Sequence, residues 1–221
     1  MMNHLYSHLL LLFTALPTVV LAGVPGNAEL ATAGSVAIGA DARAEASDSV
    51  AIGSNSFTFE PFSVSVGATS NANSLQTTAV GAAALADQPQ ATALGSFAQA
   101  LGQFTTAVGG NAVVEGQGAS ALGANTTVEA PGATALGYQA EVEEGANNAV
   151  ALGSHSLASQ ANTISVGDAE SGLTRRITNV AAALDDYDAV NFAQFNQGVN
   201  AVRSDAFAGI AAASAFSQAV A

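Results

Sequence analysis

The chain has no cysteine and no lysine, and its only basic side chains are Arg43, Arg175, Arg176 and Arg203 apart from three histidines. Without cysteine there is neither a disulfide framework nor a thiolate metal site. A small exported protein built this way needs another source of stability, which favours assembly. Seventeen acidic residues bring the formal net charge to -13. That balance argues against nucleic acid and anionic membrane surfaces as partners.

Long apolar runs are scarce too. Leu9 to Ala22 is nearly all apolar and ends in Val20-Leu21-Ala22, which predicts a signal peptide over 1–22, cleaved after Ala22. The run is shorter than the ~20 residues that span a bilayer, and no later stretch is long and apolar enough to cross one.

Catalytic constellations are also missing, and the sequence predicts no enzyme, cofactor, small-molecule substrate or metal. His155 lies between Ser154 and Ser156; on an extended strand such neighbours would point to opposite faces. Gly116-Gln117-Gly118 lacks the last glycine of a dinucleotide fingerprint. The acids are spread about one per repeat, unlike calcium-binding nonapeptide repeats. Glu141, Glu143 and Glu144 gather in one lengthened unit, read either as a solvated loop or as a weak cation or partner site.

What is present is a repeat. Ser35-Val36-Ala37-Ile38-Gly39 returns as Ser49-Val50-Ala51-Ile52-Gly53, and altered copies close on Gly67, Gly81, Gly95, Gly109, Gly123, Gly137, Gly153 and Gly167. The spacing is 14 residues throughout, except for 16 before Gly153. A fixed period of this kind signals stacked coils. Before each glycine stands an aliphatic residue. Two before it stands Ala or Ser, and three before it a residue that is β-branched in nine of ten copies. Alternation of period two predicts a short strand. A second strand follows each glycine, with small residues such as Ala42 and Ala44 directed inward and variable ones such as Arg43 outward. Loops rich in Gly, Pro, Asn, Asp and Glu close each unit.

Stacked at about 4.8 Å, ten coils would make a rod roughly 45 Å long. For the first strand, the expectation is that the aliphatic face fills the coil and the small face packs against sister chains. The predicted oligomer contacts are therefore Ala37, Ala51, Ser65, Ala79, Ala93, Ala107, Ala121, Ala135, Ala151 and Ser165. Narrow coils bury too little area to be stable singly, and a closed symmetric assembly is the simplest remedy.

The expected organisation is a signal peptide at 1–22, a lead-in at 23–34, β-roll repeats at 35–167, a junction at 168–195 and a short helical segment at 196–221. In the junction, Arg175 and Arg176 face Asp185, Asp186 and Asp188 across a short apolar span. These charges are read either as a solvated cluster or as pairs, between chains, that set register. From about Asp188 the pattern turns helical, with Val190, Phe195, Val199 and Val202 at helical spacing.

These residues resemble the YadA-like trimeric autotransporter adhesins of Gram-negative bacteria. The Ser-Val-Ala-Ile-Gly repeats resemble the head of that family. Arg176-Ile177-Thr178-Asn179-Val180-Ala181 with Asp188-Ala189-Val190-Asn191 resembles its neck, and Arg203-Ser204-Asp205-Ala206-Phe207 the start of its membrane anchor. The resemblance implies a trimeric left-handed parallel β-roll, with a neck clasp drawn here on Arg175, Arg176, Asn179, Asp188 and Asn191. It also implies display at the cell surface or outer membrane and binding of extracellular matrix proteins or cells. Ala183 stands where that neck usually has glycine. The strands of an anchor barrel are missing from the sequence, so truncation, an incomplete chain or a form not self-anchored all remain open.

Exposed aromatics are the other hint of binding. Phe57, Phe59 and Phe62 share one unit with Pro61, and Phe97 and Phe104 flank another. They are read either as ligand contacts or as packing over the coil end. The functional readings are an adhesin head, a structural fibre or spacer, and an ice-binding solenoid.

Overall fold

The computed structural model describes residues 19–20, 30–32 and 34–219. Apart from Val19–Val20, the expected signal peptide lies outside them. So does most of the lead-in. The described chain divides into two units, Met1–Thr174 and Arg175–Ala221.

The first unit is a parallel β-solenoid, and its strands alternate between two walls. The first wall holds β1 (Val19–Val20), β3 (Val36–Ile38), β5 (Val50–Ile52), β7 (Val64–Val66), β9 (Thr78–Val80), β11 (Thr92–Leu94), β13 (Thr106–Val108), β15 (Ser120–Leu122), β17 (Thr134–Leu136), β19 (Val150–Leu152) and β21 (Ile164–Ser165). The second holds β2 (Leu30–Ala31), β4 (Arg43–Ala44), β6 (Phe57–Thr58), β8 (Asn71–Ala72), β10 (Leu85–Ala86), β12 (Gln99–Ala100), β14 (Val113–Val114), β16 (Thr127–Val128), β18 (Glu141–Val142) and β20 (Leu157–Ala158). From β3 and β4 onward, each strand pairs with its copy one repeat later, so that Ala93 lies beside Ala107 and Ala107 beside Ala121. The 14-residue period is thus the register of the sheet itself.

The inside of the coil corrects the predicted facing of the first strand. Ala37, Ala51, Ser65, Ala79, Ala93, Ala107, Ala121, Ala135 and Ala151 are buried within the single chain, and Ser165, in the last coil, is partly buried. They line the interior and offer no surface to a sister chain. The aliphatic residues point out: Leu122 is 53% exposed and Leu94 44%. The reason is width. In the coil closed by β5 and β6, Ser49, Ala51, Ser56 and Thr58 converge from both walls, and each is fully shielded from solvent. Two opposed walls that meet over side chains this small leave no room for leucine.

Small residues suffice because the polar ones are paired. Ser49 donates its hydroxyl to the Ala46 carbonyl at 2.7 Å, and Thr58 donates to Ser49 Oγ at 3.0 Å. Thr105 donates to the Gly102 carbonyl at 2.6 Å. Buried hydroxyls cost stability only when left without partners. Farther along, Val114, Val128 and Val142 take over the same lining, making that end the more apolar.

Two corners join the walls. At the first corner, after each closing glycine, the backbone passes so near the next coil that no side chain fits. A Cβ on Gly95 would sit 2.5 Å from the Gly109 carbonyl oxygen, and φ there is 141°. Two residues later the backbone is left-handed in coil after coil, through Asn55, Phe97, Asn111 and His155; the second corner repeats this at Phe62, Gln76, Gln90, Phe104 and Asn162. For a residue with a β-carbon that conformation costs about 1–2 kcal/mol. Amides partly offset it through ladders between coils, such as Asn111 Nδ2 to Asn125 Oδ1 at 3.2 Å and Gln90 Nε2 to Gln76 Oε1 at 2.9 Å. The solenoid closes on an antiparallel bridge in which the Asp168 N–H donates to the Leu173 carbonyl at 2.8 Å.

The second unit holds one element, α1 (Phe192–Ala219), 28 residues long. It begins four residues earlier than the predicted segment because Asn191 caps it, its Oδ1 accepting the Gln194 N–H at 3.0 Å. No residue of α1 is buried. Among the described residues, no helix is long and apolar enough to cross a membrane.

Candidate functional site

The solenoid presents two outer faces of different chemistry. Outside the first wall run two columns. One, from Val36, Val50 and Val64 through Thr78, Thr92 and Thr106 to Ile164, is β-branched in nearly every coil. The other, from Ile38, Ile52 and Val66 to Leu122, Leu136 and Leu152, is wholly aliphatic. Both are half-buried to exposed in the chain. The aliphatic column makes a continuous apolar strip along the wall, far longer than the scattered apolar residues of an ordinary surface, and beside it the other column turns from valine to Thr78, Thr92, Thr106, Ser120 and Thr134 across the middle coils.

The second wall is variable. Arg43, Phe57, Asn71, Leu85, Gln99, Val113, Thr127 and Glu141 follow one another in one outward column, as the alternation predicts. Near its start an aromatic cluster forms. The Phe57 and Phe59 rings are 6.1 Å apart, and the Arg43 guanidinium stands 5.6 Å over the Phe57 ring while pairing with Glu45. Phe59 is 54% exposed, so this cluster does not cap the coil end. Register explains the geometry: one repeat apart on one face, Arg43 and Phe57 are direct neighbours. Phe62 stands apart from them on the second corner, left-handed and exposed.

Farther along, Glu115, Glu129 and Glu143 stack in adjacent coils, and the Glu144 N–H donates to Glu129 Oε2 at 3.1 Å. This belongs to the lengthened corner predicted around Glu141, Glu143 and Glu144. Among the described residues, no group of His, Cys, Asp and Glu side chains could hold a metal ion. Ser154 and His155 correct another expectation. Both lie on a corner and not on a strand, so Ser154 Oγ reaches His155 Nδ1 at 2.7 Å, with the Tyr138 ring edge-on to the imidazole at 5.5 Å.

In the second unit, two of the predicted neck residues, Asp188 and Asn191, organise the chain locally. Asn191 donates from Nδ2 to the Val180 carbonyl at 3.2 Å as well as capping α1. Gln194, not singled out in the sequence, closes the same turn: its side chain accepts from the Ala183 N–H at 2.8 Å and donates to the Ala183 carbonyl at 3.1 Å. Its place three residues after an Asn cap was the available signal. Asp188 Oδ2 accepts from the Leu184 and Asp185 N–H groups at 3.0 and 3.2 Å. Those bonds, Leu184 first, hold its carboxyl below the usual aspartate range. Asn179 is left-handed at φ 62°, and Arg176 and Asn179 line one groove with Val190 and Phe192.

The comparisons with known proteins agree with this architecture. The family profile described as YadA head domain repeat (2 copies) matches residues 33–56, 86–112, 115–140 and 145–169. The crystal structure of the collagen-binding domain of Yersinia adhesin YadA superposes with a TM-score of 0.66 at 28% identity, covering 71% of this chain and 85% of that one. No curated protein matches the chain.

Proposed function

We propose, from the YadA head-repeat matches at 33–56, 86–112, 115–140 and 145–169 and the likeness to the YadA collagen-binding domain, that this protein is a trimeric adhesin head displayed on the surface of a Gram-negative bacterium. The observation that carries the reading is the apolar strip outside the first wall. It runs along the repeats and stays half-exposed in the single chain. Three such strips meeting about a closed axis would remove it from water. The ten inward Ala and Ser residues leave the interface role, and the outward columns containing Val64, Leu94 and Leu122 take it.

The second wall then faces outward in every subunit. Its side chains change from coil to coil without disturbing the interior, which suits a surface selected for contact. Phe57, Phe59 and Phe62 are the proposed contact points for an extracellular matrix protein or a cell. Three subunits would offer each point three times, and such repetition raises avidity by orders of magnitude when geometry allows. In the junction, Arg175, Arg176 and Asn179 act between chains, while Asp188 and Asn191 hold the local turn. Export with cleavage after Ala22 would remove β1 and leave β3 as the edge strand of the first wall.

Leu122→Asp tests it. The side chain is outside the coil, so secondary structure should persist while sedimentation changes from trimer to monomer and adhesion to immobilised matrix or cells is lost. An intact trimer that binds no matrix protein or cell in a broad panel would instead make the head a spacer.

A further inference from the structure

Three phenylalanines occupy left-handed corner positions: Phe62, Phe97 and Phe104, with φ of 59°, 58° and 60°. Bulky side chains avoid that conformation, and corresponding corners elsewhere mostly carry smaller or polar residues such as Asp41, Thr69, Gln76, Ala83, Asn111 and Gly118. Burial does not compensate for it here. Phe97 is 57% exposed and Phe104 49%. A strained, exposed aromatic points to a contact outside the chain.

Their placement says which contact. Phe97 is on the first corner and Phe104 on the second corner of the same coil, between Gly95 and Gly109. The two corners are the two margins of the first wall. When identical parallel chains close around an axis with their first walls inward, the first corner of one chain meets the second corner of the next, within about half a coil, or about 2.4 Å, in height. Among the described residues, only this coil carries phenylalanine at both left-handed corners; the coil of Phe62 has Asn55 opposite.

We infer that Phe97 of each chain packs against Phe104 of the neighbouring chain, forming an aromatic latch repeated around the ring. This deepens the trimer reading and rests on it. The occupant is a second copy of this chain. The contact is heterologous, joining unlike corners, and it fixes both the order and the axial height of the subunits. Aromatic pairs of this kind add to simple area burial.

Because the chain lacks cysteine, the test is clean. The double variant Phe97→Cys with Phe104→Cys, in the whole exported chain, should give a covalent trimer on non-reducing gels after mild oxidation. Each single variant should not. Asn55→Cys with Phe104→Cys separates the thiols by three coils, about 14 Å at 4.8 Å per coil, beyond disulfide reach, and should stay unlinked. Absence of the trimer band from a protein that sediments as a trimer overturns the inference, and so does equal linkage in the mismatched pair. A wild-type chain sedimenting as a monomer would refute the trimer itself, a separate result. If the cysteine variants fold poorly, Phe97→Ala and Phe104→Ala give a second measure. Each should weaken association about tenfold, and the double variant should lose no more than either alone; full additivity would argue against contact.

Discussion

The two units are stabilised in opposite ways. In the solenoid, every coil has an interior of its own, and inward residues such as Ala93, Ala107 and Thr105 are fully enclosed by one chain. In the second unit, α1 runs for 28 residues without a single buried side chain, and Phe192, Phe207, Ile210 and Phe216 are each more than 60% exposed. Phe192, Phe195, Val199 and Val202 follow a three-four spacing, the pattern of a seam between helices. The solenoid buries its lining within one chain, whereas α1 buries no side chain within it.

That contrast can be broken from the solenoid side first. Gly95→Ala forces a Cβ to 2.5 Å from the Gly109 carbonyl oxygen at a φ of 141°. It should cost about 3 kcal/mol or more, seen as a large fall in the melting of the β signal. Next come Ala93→Leu and Ala107→Leu, which overfill a closed interior and should each cost about 1–3 kcal/mol. Their effect should be on melting of the coil. Dissociation of subunits without loss of β structure would return these residues to the interface. Asn191→Ala should cost about 1 kcal/mol and appear only in the helical circular dichroism at 222 nm, leaving the β melting unchanged.

The smallest effect is on pH. Asp188 and Asp168 both have carboxyls held below the usual range, Asp188 by the Leu184 and Asp185 N–H groups and Asp168 chiefly by the Ser171 hydroxyl. A group lowered in the folded state contributes stability that is present above its unfolded value, near 3.9, and lost as pH falls through the lower folded one. Both lie at the surface, so acidification should loosen the Asp188 turn and the Asp168 bridge only slightly. Amide-proton protection at Leu184 and Glu170 would report this, and Asp188→Asn should remove the pH dependence at Leu184.

The repeat, the two strands per coil and the inward second strand, with Ala42, Ala44 and Ala72, were legible from the residues. So was the outward column that brings Arg43 beside Phe57. The facing of the first strand was not, because alternation separates two faces without saying which is inside. A signal was nevertheless present. A coil with one small-lined wall must have a small-lined opposite wall, since both border the same narrow space. The left-handed Phe62, Phe97 and Phe104 were hidden for another reason: turn chemistry favours Gly and Asn there, so an aromatic gives no turn signal. The helix start was readable at Asn191 once its cap is matched with Gln194.

The lengthened corner at 143–149 has a wider meaning. It contains two residues more than its neighbours, yet β18 still pairs with β20 and β17 with β19 in ordinary register. Ala146 and Ala149 fold into the interior, and Gly145 has open space around it. Stacking, and not hinge length, sets the ladder, so evolution can splice sequence into this rim without rebuilding the column beneath. An engineer could use the same tolerance to graft a foreign epitope at Gly145.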